Sequence, residues 1–428
     1  MSAAFVRMPV MAWKNLFRYK ARSSITASAI GVGVMFTVFL AGLLYGMQLD
    51  TERNLRWNET ASAKVFAPGY FAERDSYPLD YLIPRDEQEA IAALIANTAA
   101  ETGIRITQTP RVVISAEAYF DVNSEITAST TVVLAGVKSE GDESVFRIKE
   151  NVDRGQWLST GGAGIVIGNS LASDMNAEPG DTVVIECHGL GGFLQAIEAP
   201  ITGIVVTDDN IINSGWVFMD LEYLDAQLEL EEHITELDIA IPETANFEKT
   251  SVALKAALSS MANNFEFYTW QELAEDILAL IRTKSSGSGM ILFCVLIVAA
   301  VGIINTMLMA VMERKNEIAM LLSLGYAKGI IRMLFLLEGL FIGLIGSAAG
   351  FIAGAAVNLF FVVHGLDMSA AFQGIDMGYR STGVFRSAWD FTIMGSCVIG
   401  AVLVSALAAF FPSGKIVKKE IAEIFRSA

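Results

Sequence analysis

The sequence predicts an α-helical membrane protein with four transmembrane helices in a 1+3 arrangement and a large extracytoplasmic α/β domain inserted between helices one and two. Two observations lead to this fold class. Of the 428 residues, 53% are hydrophobic and only 18% are charged, against about 25% charged in an ordinary soluble domain. The charge is also unevenly divided, because residues 50–282 carry 39 acidic and 14 basic side chains whereas the remainder carries 8 and 16. One acidic polar block is therefore flanked by basic, apolar segments.

Four apolar segments are predicted to cross the membrane. The first is longer than a span of about 30 Å requires, and longer than the apolar core of a signal peptide. The other three lie in the last third of the chain, and Pro412 is expected to end the last helix. The predicted transmembrane helices cover residues 23–48, 287–312, 333–363 and 391–411.

Basic residues set the predicted orientation. The N-terminal segment 1–22 contains five Lys or Arg and no acid, and the loop 313–332 and the tail 412–428 contain four Lys or Arg each. The positive-inside rule places these three segments in the cytoplasm, at the inner membrane. The domain 49–286 and the short loop 364–390 are then expected on the outer side.

Two amphipathic helices are predicted beside the membrane. Trp13, Leu16 and Phe17 follow i, i+3, i+4 spacing next to a basic stripe, which predicts a cytoplasmic interfacial helix over 1–22. Residues 269–282 also have helical apolar spacing. They predict a helix that leads towards the second span and is interrupted only at 284–287. It is either a stalk that carries motion between the membrane and the outside domain or an ordinary helix packed on that domain.

The inserted domain has mixed α/β patterning. Helical periodicity and short β-branched runs alternate along it, without an internal repeat. Helices are predicted around 86–100 and 247–261, and strands at 111–115, 130–134, 164–167, 182–186 and 201–206.

No motif for catalysis, metal binding or nucleic-acid binding occurs in the sequence. The phosphate-loop pattern G-x-x-x-x-G-K-[ST] is missing, since Gly414-Lys415 is followed by Ile416. The three histidines are far apart, no G-x-S-x-G elbow marks a nucleophile, and the acidic block would repel phosphates. We therefore expect no catalytic residue, no metal ligand and no bound cofactor in this chain.

The third predicted span contains one acid and a series of glycines. Glu338 is the only acid inside a predicted span, and we expect it to pair with Arg332 or Lys328 or to reach the interface. Small residues at four-residue spacing predict close helix packing in a bundle or a dimer. The glycines concerned are Gly339, Gly343, Gly346, Gly350 and Gly354.

The loop before this span carries the most informative motif. Residues 312–340 read MERKNEIAMLLSLGYAKGIIRMLFLLEGL, where an acid–base pair precedes Glu-Ile and a Leu-Gly turn. This pattern resembles the coupling-helix region of FtsX-like ABC-transporter permeases, the type VII family that includes MacB and LolC/LolE. Residues 12–16 and 155–181, and the 1+3 layout with a large first outside loop, are similar to the same family.

The resemblance implies a mechanotransmitting ABC transporter. Two permeases, identical or paralogous, would bind a separate cytoplasmic ABC ATPase, where ATP and Mg²⁺ would be held. ATP-driven closure of the ATPase would push on the coupling loop and move the outside domains. The coupling residues it implies are Glu313, Arg314, Glu317, Ile318, Leu321, Leu324 and Gly325.

Within the family, the layout is most similar to the LolC/LolE lipoprotein-releasing permeases, because of Trp270 before the stalk and the glycines of span three. This similarity implies that lipoprotein acyl chains enter between spans one and two and pass to a periplasmic carrier. The acyl-chain candidates are Phe36, Leu40, Leu44, Met47, Met290, Phe293 and Ile297. MacB-like efflux of peptides or small molecules and FtsX-like control of a cell-wall hydrolase remain alternatives.

Overall fold

The computed structural model describes residues 2–18, 20–122, 125–261, 265–368 and 384–417. The chain divides into two compact units. Among the described residues, the helical unit comprises 2–49, 280–368 and 384–417, and the inserted domain comprises Asp50–Ala279. The predicted tail beyond residue 417 and most of the predicted loop 364–390 lie outside the described residues.

Two helices begin the chain. Helix α1 (Ser2–Arg18) buries Ala12 and Leu16 and leaves Trp13 and Phe17 44% and 54% exposed. Helix α2 (Lys20–Asn54) contains the first predicted span and continues into a π-helical turn, Leu55–Glu59. The apolar face predicted for the first helix is therefore divided, with Leu16 packed inside and the two aromatic rings outside.

The inserted domain contains ten strands among its described residues. They are β1 (Ala63–Phe66), β2 (Thr107–Val122), β3 (Glu125–Val137), β4 (Val152–Gly155), β5 (Ile165–Gly168), β6 (Thr182–His188), β7 (Leu194–Val205), β8 (Trp216–Asp220), β9 (Glu236–Ala240) and β10 (Glu266–Thr269). Its helices are α3 (Tyr70–Glu73), α4 (Arg85–Thr102), α5 (Asn169–Asp174), α6 (Asn210–Gly215), α7 (Leu221–Leu228), α8 (Phe247–Leu258) and α9 (Trp270–Leu273). Each strand and helix predicted in this domain overlaps one of these elements.

These strands form one mixed sheet. Its order is β10-β1-β9-β2-β3-β8-β5-β7-β4, and β6 pairs with both β2 and β7. The β3–β8 and β5–β7 pairs are parallel and the other pairs are antiparallel. Each face has its own apolar core: Ile114, Leu134 and Ile167 belong to one, and Phe146 and Phe218 belong to the other.

A cluster of five charged side chains is buried where β1, β9 and β2 adjoin. Nζ of Lys64 lies 2.7 Å from Oε1 of Glu236 and 3.2 Å from Oδ1 of Asp238. Arg111 donates to both carboxylate oxygens of Asp142, at 3.0 and 2.7 Å. Lys64 and Arg111 thus make their shortest bonds to Glu236 and Asp142. The Asp238 carboxylate accepts no hydrogen bond from the described residues. Burial, reinforced by the negative charge of Glu236, raises the pKa of Asp238 to about 8.

This cluster predicts a pH dependence of stability. The pKa of Asp238 is raised above its ordinary value of 3.8, so the folded protein holds an extra proton between about pH 4 and pH 8. The free energy of unfolding should therefore fall as pH rises through this window, by up to about 1.4 kcal/mol per pH unit. Asp238→Asn should flatten the dependence in thermal unfolding of the full chain in detergent, and Asp153→Asn, at an exposed side chain, should not. An unchanged slope in Asp238→Asn would contradict the assignment.

The remaining helices return to the helical unit. Helix α10 (Glu275–Glu313) is continuous, so the interruption predicted at 284–287 is wrong. The helical segment is interrupted instead at Ala274, between α9 and α10. It is followed by α11 (Lys315–Ser323), α12 (Lys328–His364) and α13 (Phe391–Val417). Strands β11 (Leu366–Asp367) and β12 (Val384–Phe385) pair between the last two helices.

Three helices in the described part of the chain are long and apolar enough to cross a membrane. They cover Ser23–Glu59, Lys328–His364 and Phe391–Gly414. Helix α10 contains a shorter apolar stretch, Gly289–Gly302. The fourth span therefore stays a prediction.

Pro412 does not end the last helix, contrary to the sequence-based prediction. Helix α13 continues past it to Val417. Pro412 has no N–H to donate to the carbonyl of Ala408, so one bond of the helical ladder is lost. Membrane helices tolerate proline where their surroundings compensate for the lost bond.

The glycines of α12 face two different neighbours. A Cβ at Gly339 would lie 2.8 Å from the carbonyl oxygen of Ser405 on α13, whereas one at Gly350 would lie 2.3 Å from that of Gly31 on α2. Gly343 also faces α13, and Gly346 and Gly354 also face α2. The contacts predicted for a bundle or a dimer are thus made within one chain, and α12 lies between α2 and α13.

Candidate functional site

An apolar cavity of about 710 Å³ lies between α2 and α10. Two small residues of α2, Ala29 and Gly33, line it. Larger side chains complete the lining, among them Phe36 on α2 and Met290, Cys294 and Val298 on α10. Its volume lies within the range of about 300–1,000 Å³ that is typical of small-molecule sites.

Two of the seven acyl-chain candidates, Phe36 and Met290, line this cavity. Phe293 and Ile297 are 60% and 46% exposed on α10 and do not line it. The α2 candidates Leu40, Leu44 and Met47 are half-buried and also lie outside the lining.

The sequence did contain a signal for the cavity wall on α10. Met290, Cys294, Val298 and Gly302 are spaced by four residues and form one stripe of the helix. Phe293 and Ile297 have the same spacing but start one residue before Cys294, and one residue corresponds to about 100° around a helix. The predicted candidates Phe293 and Ile297 therefore lie on the neighbouring stripe of α10.

The loop between α10 and α12 has a buried and an exposed apolar face. Ile318 and Ala319 of α11 are buried against Ile331 and Phe335 of α12, and Leu321 packs at the edge of this cluster. Leu324 is 68% exposed, and Met320 and Tyr326 beside it are also exposed. Exposed apolar patches of this kind on a polar loop mark interaction sites.

The Leu-Gly turn that ends α11 requires glycine. Gly325 has φ of +85°, the left-handed region. Its N–H bonds the carbonyl of Leu322 at 3.0 Å, and the N–H of Tyr326 bonds that of Leu321 at 3.1 Å. These two bonds are the Schellman motif, in which glycine adopts positive φ without steric cost.

A charged junction joins this loop to two helices. Arg314 donates to Glu317 through Nε at 2.8 Å and to Glu338 through Nη1 at 2.6 Å. The other oxygen of Glu338 accepts from Asn15 Nδ2 of α1 at 2.5 Å. The side chains of Arg314 and Glu338 are 9% and 11% exposed. We call Asn15, Arg314, Glu317 and Glu338 the Glu338 junction.

The junction corrects the pairing predicted for Glu338. Its cationic partner is Arg314, and not Arg332 or Lys328. The guanidinium of Arg332 lies instead over the ring of Phe410, at 4.2 Å. The two residues of the Glu313-Arg314 motif have different environments. Arg314 is buried in the junction, whereas the side chain of Glu313 is exposed. Among the described residues, no group of three or more His, Cys, Asp or Glu could hold a metal ion.

Loss of the Glu338 charge should loosen α11. In Glu338→Gln the side-chain shape is kept, but the largely buried Arg314 loses one of two carboxylates, and removal of one partner of a buried pair is destabilising. We expect amide hydrogen exchange in Lys315–Ser323 to accelerate about tenfold, equivalent to ~1.4 kcal/mol of local stability. Exchange in α13 should stay unchanged, as should the whole pattern in Glu313→Gln. Equal protection of α11 in both variants would show that the junction does not hold the loop.

Comparisons with known proteins match both parts of the chain. The family model of the MacB-like periplasmic core domain matches residues 23–257, more than half of the chain, and that of the FtsX-like permease C-terminal region matches residues 289–421.

Full-length relatives have low identity to this chain. An uncharacterized ABC transporter permease of Methanocaldococcus jannaschii is 23% identical over 415 residues, which are 94% of this chain and 93% of that protein. The macrolide export ATP-binding/permease protein MacB of Neisseria gonorrhoeae is 24% identical over 374 residues, 83% of this chain and 53% of MacB. The lipoprotein-releasing system transmembrane protein LolC of Haemophilus influenzae is 20% identical over 302 residues, 68% of this chain and 72% of LolC. The chain thus spans about half the length of the MacB relatives that it matches.

Two solved structures also align with part of the chain. The periplasmic region of MacB from Actinobacillus actinomycetemcomitans has a TM-score of 0.36 at 15% identity and covers 53% of this chain and 97% of its own. The extracellular domain of the transporter YknZ from Gram-positive bacteria has a TM-score of 0.33 at 11% identity, and covers 48% of this chain and 98% of its own. Scores this low carry no argument about the fold. On the family models, the chain belongs to the FtsX-like, MacB-related family of ABC-transporter permeases.

Proposed function

We propose that this chain is the permease subunit of a mechanotransmitting ABC transporter that withdraws lipoproteins from the inner membrane and releases them to a periplasmic carrier. A separate ATPase on the cytoplasmic side hydrolyses the ATP, and a second permease, identical or paralogous, completes the complex. In this proposal both chain termini are cytoplasmic and α10 provides the fourth span.

The apolar cavity between α2 and α10 is the observation that carries this proposal. Moving an acyl chain from the bilayer into water costs about 0.8 kcal/mol of free energy for each CH₂, so exposing a dozen methylenes costs ~10 kcal/mol. A cavity lined by Phe36, Met290 and Val298 would keep such a chain out of water during extraction. A lever that only activates an external hydrolase would have no use for it.

The exposed apolar surface of the coupling loop is proposed as the ATPase contact. Met320, Leu324 and Tyr326 would enter a groove of the ATPase, since all three are large, apolar and exposed. Ile318 on the opposite face is packed against α12. Force on the loop would therefore reach α12 through this packing and α1 through the Glu338 junction.

Efflux of an amphiphilic small molecule is the second candidate. The similarity to MacB, whose name records macrolide export, favours it, and this similarity covers 83% of the chain. The same cavity volume would accept a largely apolar drug. The two candidate functions differ in whether the molecule in the cavity is covalently attached to a protein.

Photo-crosslinking in the host separates these candidates. A benzophenone amino acid replaces Phe36, which lines the cavity, or Ile399, which is 62% exposed on α13. Lipoprotein extraction predicts adducts with acylated lipoproteins at position 36 that are several-fold stronger than at 399, because only the first residue contacts the proposed site. Depletion of the permease should also retain lipoproteins in the inner membrane.

Two results would contradict lipoprotein extraction. One is equal crosslinking at both positions, which lateral diffusion of lipoproteins past any lipid-facing residue would produce. The other is normal lipoprotein sorting after this chain and any paralogue are depleted together. Normal sorting with increased sensitivity to amphiphilic antibiotics would support efflux instead.

A further inference from the structure

A second cavity, polar and of about 380 Å³, lies wholly within the inserted domain. It is bounded by the π-helical turn after α2, the start of β2, the segment around Ser144 and the end of β9. Three arginines from separate parts of the sequence line it: Arg56, Arg105 and Arg147. Helical π-turns are rare, and many of them occur at functional sites.

Basic side chains are concentrated around this cavity, although the domain as a whole is acidic. Residues 50–282 contain 14 basic and 39 acidic side chains. Five of the 14 either line the cavity or contact a lining residue, namely Arg53, Arg56, Arg105, Arg147 and Lys149. Electrostatic repulsion alone would disperse cations over so acidic a domain, so their concentration here points to an anionic ligand.

Among the described residues, no carboxylate of the lining forms an ion pair with its three arginines. Glu143 lies 3.5 Å from Nζ of Lys149 and accepts from the N–H of Gly141, and Glu243 lies 3.8 Å from Nε of Arg53. Glu150 is the third lining carboxylate. Within the described residues, neither Arg105 nor Arg147 has a carboxylate within ion-pair distance. The lining contains three arginines and three glutamates, and Arg53 and Lys149 contact two of these glutamates from outside it.

The arginines are held in place without the use of their full hydrogen-bonding capacity. The guanidinium of Arg147 stacks on the ring of Trp57 at 3.8 Å, and its backbone N–H donates to the carbonyl of Trp57 at 3.0 Å. Nη2 of Arg56 donates to Ser62 and to the carbonyl of Ile241, at 3.1 and 3.2 Å. Nε of Arg56 is buried and has no hydrogen-bond partner within the described part of the chain. A stacked guanidinium keeps its N–H edge free for a ligand.

We propose that this cavity binds the phosphate group of a phosphate ester, with Arg56, Arg105 and Arg147 as its ligands. Guanidinium groups arriving from three segments suit a tetrahedral oxyanion better than a planar carboxylate, and such charge-assisted bonds are among the stronger hydrogen bonds in proteins. The site is distinct from the proposed cargo cavity and does not depend on the proposed function. The phosphate belongs either to a soluble ester or to a phospholipid headgroup, since Arg56 lies in the turn that directly follows α2, the helix that contains the first predicted span.

Calorimetric titration of the full chain in phosphate-free detergent tests this site. The probes are inorganic phosphate, glycerol 3-phosphate and the short-chain lipid dihexanoylphosphatidylglycerol, and acetate is the anion control. We expect at least one phosphate probe to bind, and Arg105→Gln/Arg147→Gln to weaken that binding by about tenfold or more. Arg154→Gln, at an exposed arginine of the same domain outside the cavity, should bind as the wild type does.

The pattern across probes identifies the source of the phosphate. Binding of glycerol 3-phosphate indicates a soluble ester, and binding of the lipid alone indicates a headgroup. The proposal is overturned if no phosphate probe binds, if acetate binds equally well, or if the double variant binds like Arg154→Gln. Thermal unfolding without ligand monitors folding. Arg105→Gln alone gives the same test if the double variant unfolds, because the Arg105 side chain is exposed.

Discussion

The ion pair between Arg314 and Glu338 is the interaction on which the arrangement of the helical unit depends. Glu338 belongs to α12, and it accepts from Asn15 of α1 and from Arg314, the residue between α10 and α11. A largely buried carboxylate is costly unless such partners compensate it. The loop, the N-terminal helix and the third predicted span are therefore fixed to one another at one point, and a force on the loop cannot move α11 alone.

Close backbone packing transmits that constraint along α12. Gly346, Gly350 and Gly354 bring α2 so near that a Cβ at any of them would lie within 3 Å of an α2 atom. Gly339 and Gly343 do the same for α13. Helices in such contact behave as one packed body. The apolar cavity lies on the side of α2 towards α10, where Ala29 and Gly33 are small.

The sequence predicted what depends on local pattern. The length of the apolar segments predicted the long apolar helices α2, α12 and α13, and short β-branched runs predicted strands of the inserted domain. The Leu324-Gly325 turn has the geometry that its residues require. The contacts that the sequence did not predict join residues that are far apart along the chain. Arg314 meets Glu338 only because α11 packs on α12, and Lys64, Arg111 and Asp238 meet only because the sheet orders β1, β9 and β2 side by side. Pro412 does not end α13, because proline is more readily tolerated inside membrane helices than inside soluble ones.

In the proposed transporter, the Glu338 junction couples ATP hydrolysis to movement of cargo. This coupling is tested most directly by measuring both rates together, with the permease and its ATPase in lipid nanodiscs carrying acylated cargo. For Glu338→Gln we predict ATP hydrolysis close to that of Glu313→Gln and cargo release about tenfold lower, a coupling loss of ~1.4 kcal/mol. Cargo release per ATP equal in the two variants would contradict it.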